Sequence, residues 1–288
     1  YARRHGIGKW YSDAAELIND PRINAIYIAT PPDSHTSYAV AAMQAGKPVY
    51  VEKPMARTYA ECLQMLEVSE NTGLPLRVAY YRRALPAFLE AKELIESGEI
   101  GQPTGIRLKL HWPAKEKGQS KQDMNWRVSP EIAGAGHFFD LASHQFDYLD
   151  FVFGKVTGIT GSASNLGGLY EAEDTVRANW LHASGVTGAG SWSFIASEDD
   201  EADVIEITGD EGSIRLSCFE KPDVLRLTKN GQESVLQFDN PQHISQHLVQ
   251  QVVDELRGVG QCVSTGISAA RTNWVLEQVV KDYYKSRG

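Results

Sequence analysis

Asp140 and His144 stand four positions apart in this sequence of 288 residues. On a helix, residues i and i+4 lie on one face, so the carboxylate and the imidazole would emerge together. A neighbouring carboxylate raises the proton affinity of a histidine and orients its ring, as a general base requires. A capped helix with polar residues on its exposed side is the commoner explanation of an isolated pair of this kind. The pair alone therefore leaves both interpretations open.

Lys53 lies in the tripeptide Glu52-Lys53-Pro54, directly after the short apolar run 48–51. An ammonium at the end of a buried strand can stabilise a developing alkoxide, and partial burial would lower the lysine pKa enough for it to relay a proton. A solvated Glu–Lys pair at a strand end is the alternative. The tripeptide by itself does not decide between the two.

A loop with two prolines, Thr30-Pro31-Pro32, follows the nearly continuous apolar run 24–30, with His35 close behind it. Such a run is typical of a strand that is covered on both faces in a parallel sheet. Ligands of open α/β sheets bind outside the carboxyl ends of the strands, so the loop is predicted to face a ligand. A plain strand-to-helix turn explains the same residues, because prolines and caps are common there.

Other reaction classes find little support in the residue pattern. There is no G-x-S-x-G elbow for a nucleophilic serine, and the three cysteines are far apart without C-x-x-C spacing. His243 and His247 lack the H-E-x-x-H form, so they are interpreted as helix-surface residues and no metal site is predicted. The pairs Arg82-Arg83 and Trp126-Arg127 suit phosphate contacts or surface ion pairs equally.

The composition is that of an acidic globular protein. The chain has 28 Lys and Arg against 37 Asp and Glu, a net charge of −9, with no basic block. Nucleic acid and anionic membranes are therefore not expected as partners. No apolar stretch is long enough to span a bilayer. The cysteine pattern fits a reducing compartment, so a cytoplasmic location is expected, although an export signal on a preceding segment is not excluded.

The first third of the chain alternates predicted strands and helices with short connections. Strands are predicted near 24–30, 48–52 and 76–81, and a capping box at Thr58 begins a helix that ends before Gly73. This order requires right-handed crossovers and a doubly wound parallel sheet. Residues 1–84 are therefore expected to form a Rossmann-like domain.

Beyond Pro86, which would open a helix, the signals become those of an antiparallel sheet. Several strand-like runs follow a helix over 138–153, and Asn230-Gly231 predicts a hairpin turn. Asn240-Pro241 is expected to begin a helix that ends near 257. Residues 85–288 would form an α+β domain with a large, mostly antiparallel sheet covered by helices. Its last helix, over about 267–285, would pack back on the first domain.

In this order and spacing, the segments resemble the glucose–fructose oxidoreductase and inositol dehydrogenase family, Gfo/Idh/MocA. The resemblance covers essentially the whole chain and rests on residues 25–56, 80–101, 125–154 and 184–192. A glutamate-lysine-proline followed much later by D-x-x-x-H is far more specific than either piece alone. It implies an NAD- or NADP-dependent oxidoreductase acting on a hydroxyl or carbonyl of a sugar, polyol or related compound.

The resemblance also implies roles for single residues. His144 would be the general base or acid, Asp140 would orient it and bind the substrate, and Lys53 would bind the reacting oxygen. Trp126 and Arg127 match a pair that reaches the cofactor in some sugar-reducing members. The residues expected to line the nicotinamide-ribose side are Thr30, Pro31, Pro32, His35, Glu52 and Lys53. The family further implies a homo-oligomer, a dimer or tetramer, through the antiparallel sheet.

One departure from the family pattern concerns the N-terminus. Gly6 and Gly8 do not form G-x-G-x-x-G, so the βαβ unit of about 50 residues that carries this turn is expected to precede Tyr1 in a longer protein. Two rival functions stay open. One is a glycoside hydrolase that oxidises its substrate transiently, against which the glutamate-lysine-proline argues. The other is a regulatory protein that binds the dinucleotide without catalysis, against which Lys53, Asp140 and His144 argue together.

Overall fold

Short strands and helices alternate at the start of the chain, and longer strands follow. The structure, a computed structural model, describes residues 2–115 and 125–285. The polar stretch 115–125 of the sequence predicts a loop, most of which lies outside the described residues. The strands are β1 (Ile26–Ile28), β2 (Val49–Val51), β3 (Leu76–Val78), β4 (Pro103–His111), β5 (Val156–Ser164), β6 (Thr175–His182), β7 (Thr187–Ser193), β8 (Ala202–Gly209), β9 (Gly212–Leu216), β10 (Val224–Lys229) and β11 (Gln232–Gln237). The helices are α1 (Ala14–Asn19), α2 (His35–Gln44), α3 (Tyr59–Thr72), α4 (Pro86–Glu96), α5 (Pro130–Ala133), α6 (His137–Phe153), α7 (Gln246–Leu256) and α8 (Gly266–Lys285).

The smaller sheet is parallel, in the order β1-β2-β3, and α2 and α3 are its crossover helices. Because its strands are parallel, all three carboxyl ends point to one edge of this sheet. The Thr58 hydroxyl accepts from the Glu61 N–H to cap α3, and Gly73 ends the helix with a φ of 68°, as predicted. One expectation is wrong: β1 is not covered on both faces, because Tyr27 is 56 % exposed. Its ring stacks on Tyr50 instead.

The larger sheet has the order β11-β10-β9-β8-β4-β7-β6-β5. Among the described strands of this sheet, only the β4–β7 pair is parallel, so the prediction of a mostly antiparallel sheet is confirmed. Asn230 and Gly231 both have positive φ, 52° and 73°, as the predicted hairpin turn requires. Helices α4, α6 and α8 pack on one face of this sheet and form the main core with it.

The helix predicted from Asn240-Pro241 starts later than expected. The structure places the first residue of α7 at Gln246, whose N–H bonds to the His243 carbonyl at 2.8 Å in the preceding turn. Leu248 and Val252 are the buried residues of α7. A cap and a proline permit a helix to begin, but its apolar face needs a surface to pack on. The buried positions therefore set where α7 starts.

Helix α8 contacts elements of both sheets. Around its middle, the Asn273 amide donates to the Ala56 carbonyl at 2.7 Å, and the Glu277 carboxylate accepts from the Tyr59 N–H at 2.7 Å. Farther along, Val279 lies against Gly161 of β5, where a Cβ would come within 2.8 Å of it. The domain boundary at 84/85 stays a prediction. In the described ranges, no helix combines the length and apolarity that crossing a bilayer would require.

Candidate active site

Lys53 links the parallel sheet to α6, a helix that packs on the larger sheet. It follows β2 at the carboxyl edge of the parallel sheet, and its ammonium reaches α6, where it contacts the Asp140 carboxylate at 2.5 Å and the Asp140 carbonyl at 3.0 Å. Its side chain is 15 % exposed. The Lys53-Pro54 peptide bond is cis. The solvated Glu–Lys pair considered from the sequence is therefore not what forms, since Lys53 pairs with a residue 87 positions away.

Asp140 lies in the first turn of α6 and pairs with two cations. The Arg127 guanidinium approaches its second carboxylate oxygen at 3.2 Å. Burial raises the pKa of this carboxyl, but Lys53, helped by Arg127, outweighs burial and lowers the pKa below its usual value. Asp140 is thus an ionised acceptor that fixes two positive groups at the mouth of the site.

The N-terminus of α6 is held by a buried glutamate. The Glu173 carboxylate accepts from the Gly136 N–H at 3.0 and 3.2 Å and from the Tyr284 hydroxyl at 2.5 Å. A Cβ at Gly136 would lie 2.8 Å from the Ala172 Cβ and from the Glu173 carbonyl. The glycine therefore allows the chain to enter α6 closely packed on the segment before β6.

His144 lies one turn after Asp140 and is only 3 % exposed. The rings of Tyr80, Tyr81 and Phe219 pack around it, with centroids 5.3 to 5.9 Å away. Burial, together with Arg82 and Lys53, lowers the pKa of His144 well below 6.5, so the ring is neutral. Its Nδ1 is buried with no hydrogen-bond partner in the described residues.

The expected pairing of Asp140 with His144 does not form. No hydrogen bond joins the two among the described contacts, and the pKa of His144 is lowered by burial instead of being raised by a carboxylate. The carboxylate is drawn to Lys53 and Arg127, because an ion pair with two cations is stronger than a bond to a neutral ring. A neutral imidazole is nonetheless the form that accepts a proton.

The loop after β1 is locked by His35. The Nε2 of this buried ring lies 2.8 Å from the Thr30 carbonyl oxygen and its Nδ1 lies 3.1 Å from the Pro54 carbonyl oxygen, and the nitrogen that carries the proton donates to its carbonyl. It therefore ties the Thr30 loop to the turn after Lys53. The Thr30 hydroxyl accepts from Ser34 at 2.7 Å, and Pro32 is buried.

The two loops lie side by side at the carboxyl edge of the parallel sheet. The Glu52 carboxylate accepts from the Tyr27 hydroxyl at 2.6 Å. The roles of Thr30, Pro31, Pro32, His35, Glu52 and Lys53 in binding a cofactor stay predictions.

Two clefts meet at Asn125, and Trp126 and Arg127 belong to different ones. Arg127 lines a cleft of 310 Å³ together with Asp140, whereas Trp126 lines a neighbouring cleft of 420 Å³. The Arg127 guanidinium also stacks on the Trp126 ring at 4.4 Å. Their contact with a cofactor stays a prediction. The other residues of the first cleft are Trp112, Pro113, Lys115, Asn125, His137, Leu141 and Phe194.

Trp112 and His137 line the first cleft, although nothing in the sequence marked them as site residues.

The Arg82-Arg83 pair does not form the surface ion pairs that were one expectation from the sequence. Neither arginine lies at the surface: Arg83 is 4 % exposed and forms a bidentate ion pair with Asp147 at 2.7 Å, and Arg82 is 2 % exposed. Burial raises the pKa of Asp147 to about 6, against the effect of Arg83. Two adjacent arginines in a sequence do not indicate that either is buried. The one signal that could have suggested a partner was Asp147, three positions after His144 on the predicted helix.

The comparison with known families decides where this chain belongs. A family model described as the oxidoreductase family with an NAD-binding Rossmann fold matches residues 2–80, and one described as the GFO/IDH/MocA C-terminal domain matches residues 88–215. The chain belongs to the Gfo/Idh/MocA oxidoreductases. The resemblance inferred from the sequence is confirmed, and with it a nicotinamide dinucleotide as the cofactor. Among the described residues, no group of three His, Cys, Asp or Glu could hold a metal ion.

Individual members of the Gfo/Idh/MocA family are similar over most of the chain. Oxidoreductase P35 of Formosa agariphila is 36 % identical over 253 residues, which are 88 % of this chain and 77 % of that protein. Levoglucosan dehydrogenase of Pseudarthrobacter phenanthrenivorans is 30 % identical over 251 residues, 78 % of this chain and 63 % of the relative. A solved levoglucosan dehydrogenase in complex with NADH and levoglucosan, 24 % identical, superimposes with a TM-score of 0.86 over 99 % of this chain and 84 % of that one. This last likeness confirms the fold.

Proposed function

We propose that this oxidoreductase transfers a hydride between a nicotinamide dinucleotide and a hydroxyl-bearing carbon of a sugar, polyol or related compound. The observation that carries the proposal is the Lys53–Asp140 contact beside a neutral His144. It brings a cation and a proton acceptor to the edge where α/β sheets bind ligands. The relatives named for levoglucosan supply the substrate class by analogy.

Each residue has a part in moving the hydroxyl proton. His144, neutral because it is buried, accepts that proton during oxidation and returns it during reduction. The Lys53 ammonium hydrogen-bonds the reacting oxygen and stabilises negative charge that develops on it. Asp140 keeps Lys53 and Arg127 in place and accepts a hydrogen bond from the substrate. The aromatic rings around His144 exclude water.

The groups at the edge of the parallel sheet fit a nicotinamide and its ribose. The Thr30-Pro31 backbone and the Glu52 carboxylate offer acceptors, and Lys53 offers a donor. The buried, unpartnered Nδ1 of His144 shows that the local polar groups are not satisfied by the described residues alone. When bound, the nicotinamide supplies the hydride acceptor or donor.

The test is turnover with defined stoichiometry. Purified protein is incubated with NAD+ or NADP+ and a panel of sugars and polyols, and reduced nicotinamide and carbonyl product are both quantified. We expect equal amounts of the two products from at least one compound.

The same measurement separates the rival functions. Release of free sugar from an aryl glycoside without net cofactor reduction would replace the proposal by the hydrolase. Saturable dinucleotide binding, seen by energy transfer from tryptophan, with no turnover of any compound would replace it by the regulatory protein.

A further inference from the structure

Arg82 is a buried cation without an anionic partner in the described residues. Its side chain is enclosed, with 2 % of the residue exposed, and its Nε donates to the Cys218 carbonyl at 2.8 Å. Its Nη1 is buried and has no hydrogen-bond partner within residues 2–115 and 125–285. Arg83, the next residue, has its own carboxylate in Asp147. A buried guanidinium that lacks a counter-ion is costly, so such groups are normally paired.

The position of Arg82 places this unpaired charge beside the candidate base. Its guanidinium lies between the rings of Tyr81 and Phe219, 4.8 and 4.5 Å from their centroids. The same two rings pack on His144. Phe219 also contacts Trp112, 5.4 Å away, which lines the cleft of Asp140 and Arg127. Arg82 and His144 therefore share one aromatic enclosure, which adjoins that cleft through the contact of Phe219 with Trp112.

The carboxylates of Asp140 and Asp203 are engaged with groups other than Arg82. Asp140 is paired with both Lys53 and Arg127, whose two positive charges already exceed its single negative charge. Asp203 binds the same segment as Arg82, but it accepts from the N–H groups of Cys218, Phe219 and Glu220 at 2.6 to 3.0 Å and forms no ion pair with Arg82 among the described contacts. Neither carboxylate therefore forms an ion pair with Arg82 among the described contacts.

We infer that Arg82 binds a carboxylate of the substrate, so that the compound oxidised here is a sugar acid whose hydroxyl meets His144 and Lys53. This inference rests on the proposed function. Guanidinium and carboxylate match in shape and charge, and they form stronger hydrogen bonds than neutral partners do. Phe219 contacts both Arg82 and Trp112, so a carboxylate that enters from the cleft would pass the ring of Phe219 to reach Arg82.

Matched substrates test the inference. Neutral sugars and polyols are compared with the corresponding uronates and aldonates, for wild type, Arg82→Gln and Arg82→Lys. We expect wild type to prefer an acid. Arg82→Gln should lower kcat/KM for the acid by about 30-fold or more, the factor typical of truncating one partner of a buried charge pair. The value for the neutral compound should fall much less, and Arg82→Lys should recover part of the loss.

The control variant is Arg257→Gln, because Arg257 is exposed directly after α7. It should leave both values unchanged. A wild type without preference for acids, or an Arg82→Gln variant that loses both substrates equally while Arg82→Lys does the same, would overturn the inference.

A binding readout keeps this result apart from the proposed function. Titration calorimetry of the protein with each sugar acid, in the presence of NADH, does not require turnover. If no compound is oxidised but an acid binds to wild type and not to Arg82→Gln, the proposed function fails and the carboxylate site stands. If neutral compounds are oxidised but no acid binds, the proposed function stands and the carboxylate site is refuted.

Discussion

His144 is kept neutral by its surroundings. Its ring is enclosed by Tyr80, Tyr81 and Phe219, and the charges that act on it are cations, which oppose protonation. The i, i+4 spacing correctly placed His144 on the same helix as Asp140. The spacing could not show that the Asp140 carboxylate would pair with Lys53 and Arg127, because these two residues come from other segments of the chain. Residue types and spacing predict a site, but the pairings within it depend on tertiary contacts.

The lowered pKa of His144 predicts a pH dependence of stability. The unfolded chain binds a proton at this ring below pH 6.5, whereas the folded protein does so only at much lower pH. The free energy of unfolding should therefore fall as pH drops below 6.5, by up to about 1.4 kcal/mol per pH unit from this group. Urea unfolding of wild type and His144→Gln between pH 5 and 8 measures it.

The difference between the two proteins isolates the histidine. Asp147, whose pKa is raised to about 6, has the opposite sign: its stabilising contribution is lost as pH rises through that value. Because both proteins contain Asp147, its effect cancels in the difference. A difference that stays constant across this pH range would show that His144 is not held neutral by burial.

Helix α6 is the element that positions the site, and its N-terminus is the critical end. The sequence predicted a helix over 138–153, close to the observed His137–Phe153. It did not predict that Glu173, from the segment before β6, would hold the Gly136 N–H. Local signals such as the Thr58 cap and the Asn230-Gly231 turn were sufficient for their elements. The bond from Glu173 required knowing which strand lies beside α6.

Gly136→Ala is expected to disturb this end of α6. The added Cβ would lie 2.8 Å from the Ala172 Cβ and the Glu173 carbonyl, and overpacking of this kind costs about 1–3 kcal/mol. The turnover rate should fall together with the stability, because α6 carries Asp140 and His144. Thermal unfolding and steady-state rates measure both effects.

Gly105→Ala is the matched control, since a Cβ at Gly105 of β4 meets nothing within 4 Å. It should change stability by about 0.5 kcal/mol or less. If Gly136→Ala behaved like Gly105→Ala in both measurements, the close packing at the start of α6 would have no functional part.

The two sheets are connected by α6 and α8. The class of each sheet followed from the order of strands and helices. The strand order of the larger sheet could not be predicted in this way. Strand β4 lies between β7 and β8, and these pairings join residues about a hundred positions apart, which no local signal links. Its helices cover one face. The opposite face carries Arg107, Lys109 and Leu181, whose side chains are at least partly exposed.

Formation of a homo-oligomer through this exposed face of the larger sheet stays a prediction. Leu181 on β6 is 42 % exposed there, and burying it between copies would favour association. Light scattering after size exclusion should give a mass of two or four chains for wild type and a lower mass, or weaker association, for Leu181→Lys. Val259→Lys is the control, because Val259 is 72 % exposed after α7, away from this face. A monomeric wild type would contradict the prediction.

The most direct test of the proposed mechanism is the effect of Lys53→Met on chemistry and on cofactor binding, measured side by side. Reduced nicotinamide is followed during turnover, and dinucleotide affinity is followed by tryptophan fluorescence, with Lys229→Met on the outer hairpin as the control. We predict that Lys53→Met lowers kcat by about 100-fold or more, as expected for loss of a group that stabilises charge at the reacting oxygen, while the dinucleotide still binds. A variant that turns over at the wild-type rate would contradict the assignment of Lys53, and with it the mechanism built on the Lys53–Asp140–His144 site.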